Sequence, residues 1–189
     1  MNLNWTKENL EEYLKDKVER SVSVDEYLLL TEFINKIRPT TLIDIGTYLG
    51  ASGYILGTCC ETIQQIYSID NIDSPDYTPK PEAPVEEHGK YLSKDAIFLR
   101  EGYENSVLDS LIKNGNEFVF WDAGKNFNKV IRQIELSYKN KIKYISIHDT
   151  NVATVRRAIR KVEKMKWYKI CEEELNNQDK GVSILELIC

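Results

Sequence analysis

The sequence predicts an α/β fold in which a mostly parallel, seven-stranded sheet is covered by helices on both faces. Three observations lead there. From residue 40 onward, apolar runs of strand length alternate with stretches of helical period. The first run, Thr41-Leu-Ile-Asp-Ile-Gly-Thr-Tyr-Leu-Gly-Ala-Ser-Gly53, carries one aspartate and passes through three glycines into helix-compatible residues. Other runs end directly in acids, at Asp70, Asp122 and His148-Asp149, and parallel strands would bring these ends to one edge.

The first 38 residues read as two helices. Thr6 can cap the first, with Trp5 and Leu10 spaced for a hydrophobic staple and Leu10, Tyr13, Leu14 and Val18 on one face. The second opens at Ser23-Val-Asp-Glu26, a capping-box spacing, and stops before Pro39. These helices could cover the sheet, a partner subunit or a substrate cleft. The strand candidates that follow are Thr41–Ile45, Ile63–Ile69, Ala96–Arg100, Phe118–Trp121, Ile142–Ile147, Trp167–Cys171 and Val182–Ile188. Helical faces lie at Phe127, Val130, Ile131, Ile134 and Tyr138, and at Val152, Val155, Ile159 and Val162. The polar link Glu172–Lys180 is too short for a crossover, so the last two strands should form an antiparallel hairpin. The division expected is a helical extension at 1–38 and a sheet domain at 39–189.

Asp73–Tyr91 breaks the rhythm, with Pro75, Pro79, Pro81 and Pro84 where a crossover helix belongs. It reads either as a lid over the carboxyl ends of the strands or as a connector, with a short helix allowed at Val85–Leu92. His88 within it is expected to face solvent.

Composition narrows the function. With 189 residues, 42% hydrophobic and 29% charged, the chain can bury a substantial core and is not a disordered one. No apolar run approaches the roughly 20 residues of a membrane span. The opening Met1-Asn-Leu-Asn-Trp-Thr-Lys-Glu lacks the pattern of a secretory signal. A formal charge of −5 gives no pull toward nucleic acid or anionic lipid, and the basic residues from Arg156 to Lys166 fall between apolar helix positions, as on a solvated face. Cys59, Cys60, Cys171 and Cys189 show neither disulfide-framework nor zinc spacing, which suits reduced thiols in a cytoplasmic protein.

Glycine spacing narrows it further. A dinucleotide fingerprint needs Gly-x-Gly-x-x-Gly, and a Walker loop needs Gly-Lys-Ser/Thr; neither is present. Gly46 can take a positive φ, while Gly50 and Gly53 have no Cβ to block a close approach. Asp44 would be costly in a core strand unless hydrogen-bonded or in reach of a ligand.

Asp44-Ile-Gly46-Thr-Tyr48-Leu-Gly50 resembles motif I of class I S-adenosylmethionine-dependent methyltransferases, with Tyr48 in place of the middle glycine. The Gly-Thr-Tyr-x-Gly form is similar to the branch of metal-dependent O-methyltransferases and antibiotic-tailoring methyltransferases. That resemblance implies a Rossmann-like methyltransferase fold with strand order 3-2-1-4-5-7-6 and the last strand antiparallel. It implies a cofactor site of Asp44, Gly46, Thr47, Tyr48, Gly50, Ser52, Asp70, Asn71, Tyr103 and Asp122, with Asn105 an alternative to Tyr103 beside the adenine. Asp70 lies 24 residues beyond Gly46, near the roughly 20 expected of an acid that binds ribose.

The same resemblance implies that acids at Asp122 and Asp149, with His148, hold a divalent metal such as Mg²⁺, which orients an acceptor hydroxyl and lowers its pKa. Lys125 stands where related sequences often carry histidine, and His148 where they often carry an acid. Lys125 could be the catalytic base if its pKa is lowered, or could fill the metal site with its own charge. His148 could be a ligand, a base near neutral pH, or an ordinary histidine satisfied by a neighbouring carbonyl. The expected activity is O-methylation of a small molecule or sugar, with no nucleic acid or membrane partner and a homodimer through the N-terminal helices. A catalytically silent cofactor-binding domain and an NAD(P)-dependent oxidoreductase are the rival readings.

Overall fold

The computed structural model describes residues 3–15, 22–73, 87–100, 105–112, 115–175 and 180–188. Val18, the four loop prolines, Tyr103 and Cys189 lie outside them.

Elements are numbered in chain order. Two helices, α1 (Lys7–Leu14) and α2 (Val24–Ile37), precede β1 (Thr41–Ile45), α3 (Ala51–Thr58), β2 (Gln65–Ile69) and β3 (Ala96–Leu99). Then come α4 (Asn105–Leu111), β4 (Glu117–Trp121), α5 (Phe127–Lys139), β5 (Tyr144–His148) and α6 (Ala153–Lys164). The hairpin of β6 (Tyr168–Glu174) and β7 (Val182–Leu187) closes the fold. The sheet order is β3-β2-β1-β4-β5-β7-β6, and β7 runs antiparallel to both its neighbours, as expected. Glu87 lies in a 3-10 turn and residues 88–91 make turns, so no α-helix forms over 87–92 among the described residues.

Capping sets where the N-terminal helices start. Thr6 and Asn9 exchange backbone and side-chain hydrogen bonds at the head of α1, and Ser23 and Glu26 do the same for α2. Arg38 ends α2 in the left-handed region, just before Pro39. Trp5 donates its indole N–H to the Ile55 carbonyl and meets Tyr13 and Tyr54 edge-on, which fastens the N-terminal segment to α3.

Strand alternation divides the core into two layers. Ile43, Ile45, Val119, Trp121, Ile145 and Ile147 face α4, α5 and α6. Leu42, Ile66, Phe118, Phe120 and Ile184 face α1, α2 and α3. The N-terminal helices therefore cover the sheet, with Phe33 packed against Phe118 and Tyr144. The same period decides where polar strand residues go. Asp44, Ser68, Ser146 and His148 are all buried, at positions that alternate with the α4–α6 face. A carboxylate and an imidazole are thereby turned toward the N-terminal helices.

Candidate active site

The glycine turn between β1 and α3 is built by close approaches within the protein itself. At Gly46, φ is +86°, and a Cβ would stand 2.5 Å from the Asp122 carbonyl oxygen, so only glycine lets the ends of β1 and β4 pass. A Cβ on Gly50 would lie 2.7 Å from Leu92 Cγ, and one on Gly53 2.6 Å from Ser68 Oγ. The sequence suggested room for a ligand at these two glycines. The structure fills that room with the chain's own 87–92 segment and β2.

Tyr48 takes φ 49°, the left-handed region in which glycine is at home. Neighbours on both sides support it. Its N–H donates to Asp70 Oδ2 at 3.0 Å, and its carbonyl accepts from Gly89 N–H at 2.8 Å. Asp70 also accepts the Asn71 N–H at 2.9 Å and meets His88 Nδ1 at 2.8 Å. Asn71 thus meets Asp70 through its backbone. His88 is buried at 8% exposure with its ring edge-on to Tyr48, because Asp70 gives it a partner that a solvent-exposed position would lack.

Asp44 is fully buried. Its Oδ2 accepts from Thr47 Oγ1 at 2.6 Å and from Ser52 Oγ at 3.0 Å, while Oδ1 has no hydrogen-bond partner among the described residues. Burial pushes its pKa up to about 7; the two hydroxyls oppose this, and the Asp122 and Asp70 charges add to it. Asp44, Thr47 and Ser52 therefore form one buried group around an underused carboxylate.

A second cluster sits at the ends of β4 and β5. His148 Nδ1 donates to Asp122 Oδ1 at 2.8 Å and lies 3.7 Å from Asp149 Oδ2. Its Nε2 faces Glu26 Oε2 of α2 at 3.6 Å, an opposite-charge contact longer than a hydrogen bond. Burial opposes the imidazolium, but the Asp122 charge and hydrogen bond, with Glu26 and Asp149, outweigh it and hold the His148 pKa up at about 10. Burial likewise pushes Glu26 up, and contacts with His148 and Ser23 outweigh that to leave it below the ordinary carboxylate range. Lys125 Nζ reaches Asp149 Oδ1 at 3.0 Å. Its loop is pinned by Thr154 Oγ1 on the Lys125 carbonyl and by Gln133 on the Ala123 carbonyl.

One ligand atom each from Asp122, His148 and Asp149 lie within 4.8 Å of one another. Two hard oxygens and an imidazole nitrogen suit a small divalent cation, so the residues present fit a metal. In the structure, the Lys125 ammonium and the His148 proton neutralise these same acids.

Sequence reasoning missed Glu26 and Tyr27. Glu26 was legible only as a cap. Tyr27 is buried, and burial together with the charges of Asp44 and Asp122 pushes its phenol well up. Nothing in α2 itself announces the Glu26–His148 contact or the burial of Tyr27, since both depend on strand faces far along the chain.

This sheet order, with a glycine turn after β1 and acids at the ends of β2, β4 and β5, is the Rossmann-like methyltransferase fold. No family model matches the sequence, and no curated protein matches it. Solved structures do. The O-methyltransferase TomG from Streptomyces achromogenes, involved in tomaymycin synthesis and solved with S-adenosylmethionine, superposes with a TM-score of 0.64 at 13% identity over 97% of this chain and 88% of that one. A Podospora anserina methyltransferase bound to S-adenosylhomocysteine gives 0.65 at 13% identity, over 96% and 87%. An O-methyltransferase from Bacillus cereus, also with S-adenosylhomocysteine, gives 0.61 at 13% identity, over 96% and 100%.

Proposed function

We propose that the protein is an S-adenosylmethionine-dependent methyltransferase that methylates a hydroxyl of a small molecule or sugar. The observation that carries this reading is Asp44: a fully buried carboxylate beside a left-handed glycine turn, with one oxygen unpartnered among the described residues. Such a group suits the ammonium of an amino acid ligand. Asp70 suits a ribose diol, since its three donors leave about one of a carboxylate's four acceptor sites. The neighbours solved with S-adenosylmethionine or its product support the same ligand. No observation favours a silent binding domain or a nicotinamide-dependent oxidoreductase.

In the reaction, the acceptor oxygen bonds to the methyl carbon as the carbon–sulfur bond breaks, the acceptor proton leaves, and S-adenosylhomocysteine is released. The chain's part is largely placement in line with that methyl group. Asp122, His148 and Asp149 are the residues that would hold a divalent cation, and such an ion would lower the pKa of the acceptor hydroxyl. The imidazole ligand suits Mn²⁺ or Zn²⁺ better than the Mg²⁺ suggested by the acids alone. His148, with its pKa near 10, serves as ligand or fixed cation rather than as base at neutral pH. Lys125 pairs with Asp149 on the exposed side of the cluster and would set the charge that an acceptor or a cation meets there.

The cysteines Cys59 and Cys60 are buried and free, which supports a reducing, cytoplasmic setting. No helix among the described residues is long and apolar enough to cross a membrane. A homodimer through the N-terminal helices would use their outward faces, since the inward ones cover the sheet.

Isothermal calorimetry with S-adenosylhomocysteine tests the cofactor. Binding in the micromolar range is expected, and neither heat nor a thermal shift at saturating ligand would overturn the reading. Mn²⁺ titration of the parent and of Asp149→Ala tests the metal: equal heats from both would remove it.

A further inference from the structure

Glu26 holds two positions at once. As the third residue of α2 it accepts the Ser23 N–H through Oε2 at 2.5 Å, completing the capping box. A capping glutamate needs no burial, yet this one has 0% exposure, and its Oε1 has no hydrogen-bond partner among the described residues. Burying a carboxylate this way is costly unless a cation faces it. The cation that does so is the imidazole of His148, 3.6 Å from Oε2.

We propose that Glu26 is the positioning residue of the acid cluster: its carboxylate faces the Nε2 edge of His148 at 3.6 Å, an opposite-charge contact to a nitrogen with no hydrogen-bond partner among the described residues, so that Nδ1 is the nitrogen turned toward Asp122 and Asp149. The proposal rests on the reading of that cluster as the acceptor-activating centre. Strand parity explains why the partner must come from α2. His148 points to the helical layer that contains α2, while Asp122 and Asp149 follow the ends of their strands. A histidine that works through one ring nitrogen needs a partner facing the other, which fixes its ring orientation. Turning the ring over would set a C–H against Asp122 and another against Glu26, losing both contacts.

Two substitutions separate this role from helix capping. Glu26→Gln keeps a side-chain oxygen for the Ser23 N–H and removes the charge opposite His148. Ser23→Ala removes the capping hydroxyl and leaves Glu26 in place. The chain has only two histidines, so long-range ¹H–¹⁵N correlation spectra of ¹⁵N-histidine protein show two rings, and His88→Gln assigns them.

The expected result is that Glu26→Gln shifts the His148 Nε2 resonance, while Ser23→Ala lowers the melting temperature and leaves that resonance in place. In turnover, Glu26→Gln should lower kcat about tenfold with KM for S-adenosylmethionine unchanged. Should Glu26→Gln fail to fold, Glu26→Asp, which keeps charge but shortens reach, must show the same spectral change. The proposal is overturned if the His148 spectrum of the folded charge or length variant matches the parent, or if Ser23→Ala moves it equally. A parent that transfers no methyl group, with the spectral contrast intact, would sink the methyltransferase reading and leave the positioning role standing.

Discussion

Two groups of carboxylates lie at the same edge of the sheet and are treated differently. Around the glycine turn, Asp44 is satisfied by neutral hydroxyls, and one of its oxygens is unpartnered among the described residues. At the ends of β4 and β5, Asp122 and Asp149 each meet a cationic side chain of the protein, His148 or Lys125. The contrast shows which charge is left for a ligand to supply. On the function proposed above, the turn is left for a positively charged ligand. The acid cluster is already neutralised, so a metal there must replace protein cations.

The most damaging test of the turn is Gly46→Ala. A Cβ 2.5 Å from the Asp122 carbonyl, at a φ of +86°, forces the two regions apart. A loss of roughly 3 kcal/mol or more is expected in urea unfolding, together with loss of S-adenosylhomocysteine binding. An unchanged midpoint would mean that the two strand ends are not in register contact.

Paired acid substitutions sharpen the division. Asp70→Asn should weaken S-adenosylhomocysteine binding on the order of tenfold or more, as expected of a charge-assisted hydrogen bond. Asp149→Asn should leave it within about twofold and instead weaken Mn²⁺ binding. Calorimetry of both variants with both ligands decides it, and equal losses everywhere would make the two regions one site.

Acidity offers a third probe. Asp44 has a folded pKa near 7, above its ordinary value, so between about pH 4 and 7 the ligand-free folded state binds more protons than the unfolded chain. Its contribution to stability is therefore favourable at low pH and is lost as pH rises through that window. A cationic ligand prefers the ionised form. S-adenosylhomocysteine affinity should rise by up to about tenfold from pH 6 to 8, with proton release. A flat profile in the parent would contradict this, and Asp44→Asn should flatten it.

The smallest effect belongs to Tyr48. Replacing it with glycine relieves left-handed strain of about 1 kcal/mol but loosens the unfolded chain and removes the ring packed on His88. A net change within about 1 kcal/mol is expected by thermal unfolding; a loss above 2 would show that the ring, not the backbone, holds the turn.

Much of the fold was legible because it is locally written. Val130 and Ile134 repeat at helical spacing, Ser23 and Glu26 mark a cap, and the short polar link after Cys171 allows only a hairpin. Asp44, Asp70, Asp122 and Asp149 were also legible, since an acid within or after an apolar strand is conspicuous. Their partners were not. His88 meets Asp70 across 18 residues, and His148 meets Glu26 across the whole width of the β1–β4 segment. Such pairings depend on which face a strand turns inward and on what lies above it. The glycines were read correctly as a site of close approach, but the approaching group at Gly50 is Leu92.

The position of β7 has a consequence for synthesis. It is the last strand of the sheet in the chain, yet it lies inside the sheet, between β5 and β6. Val182 pairs with His148, and the Gly181 carbonyl accepts the Thr150 N–H. A chain emerging from the ribosome can thread β1, α3 and β4 together early, but the strand beside His148 arrives more than 30 residues after it. The glycine turn is thus free to form while translation continues. The acid cluster must wait until the hairpin has been made and has slotted into the sheet.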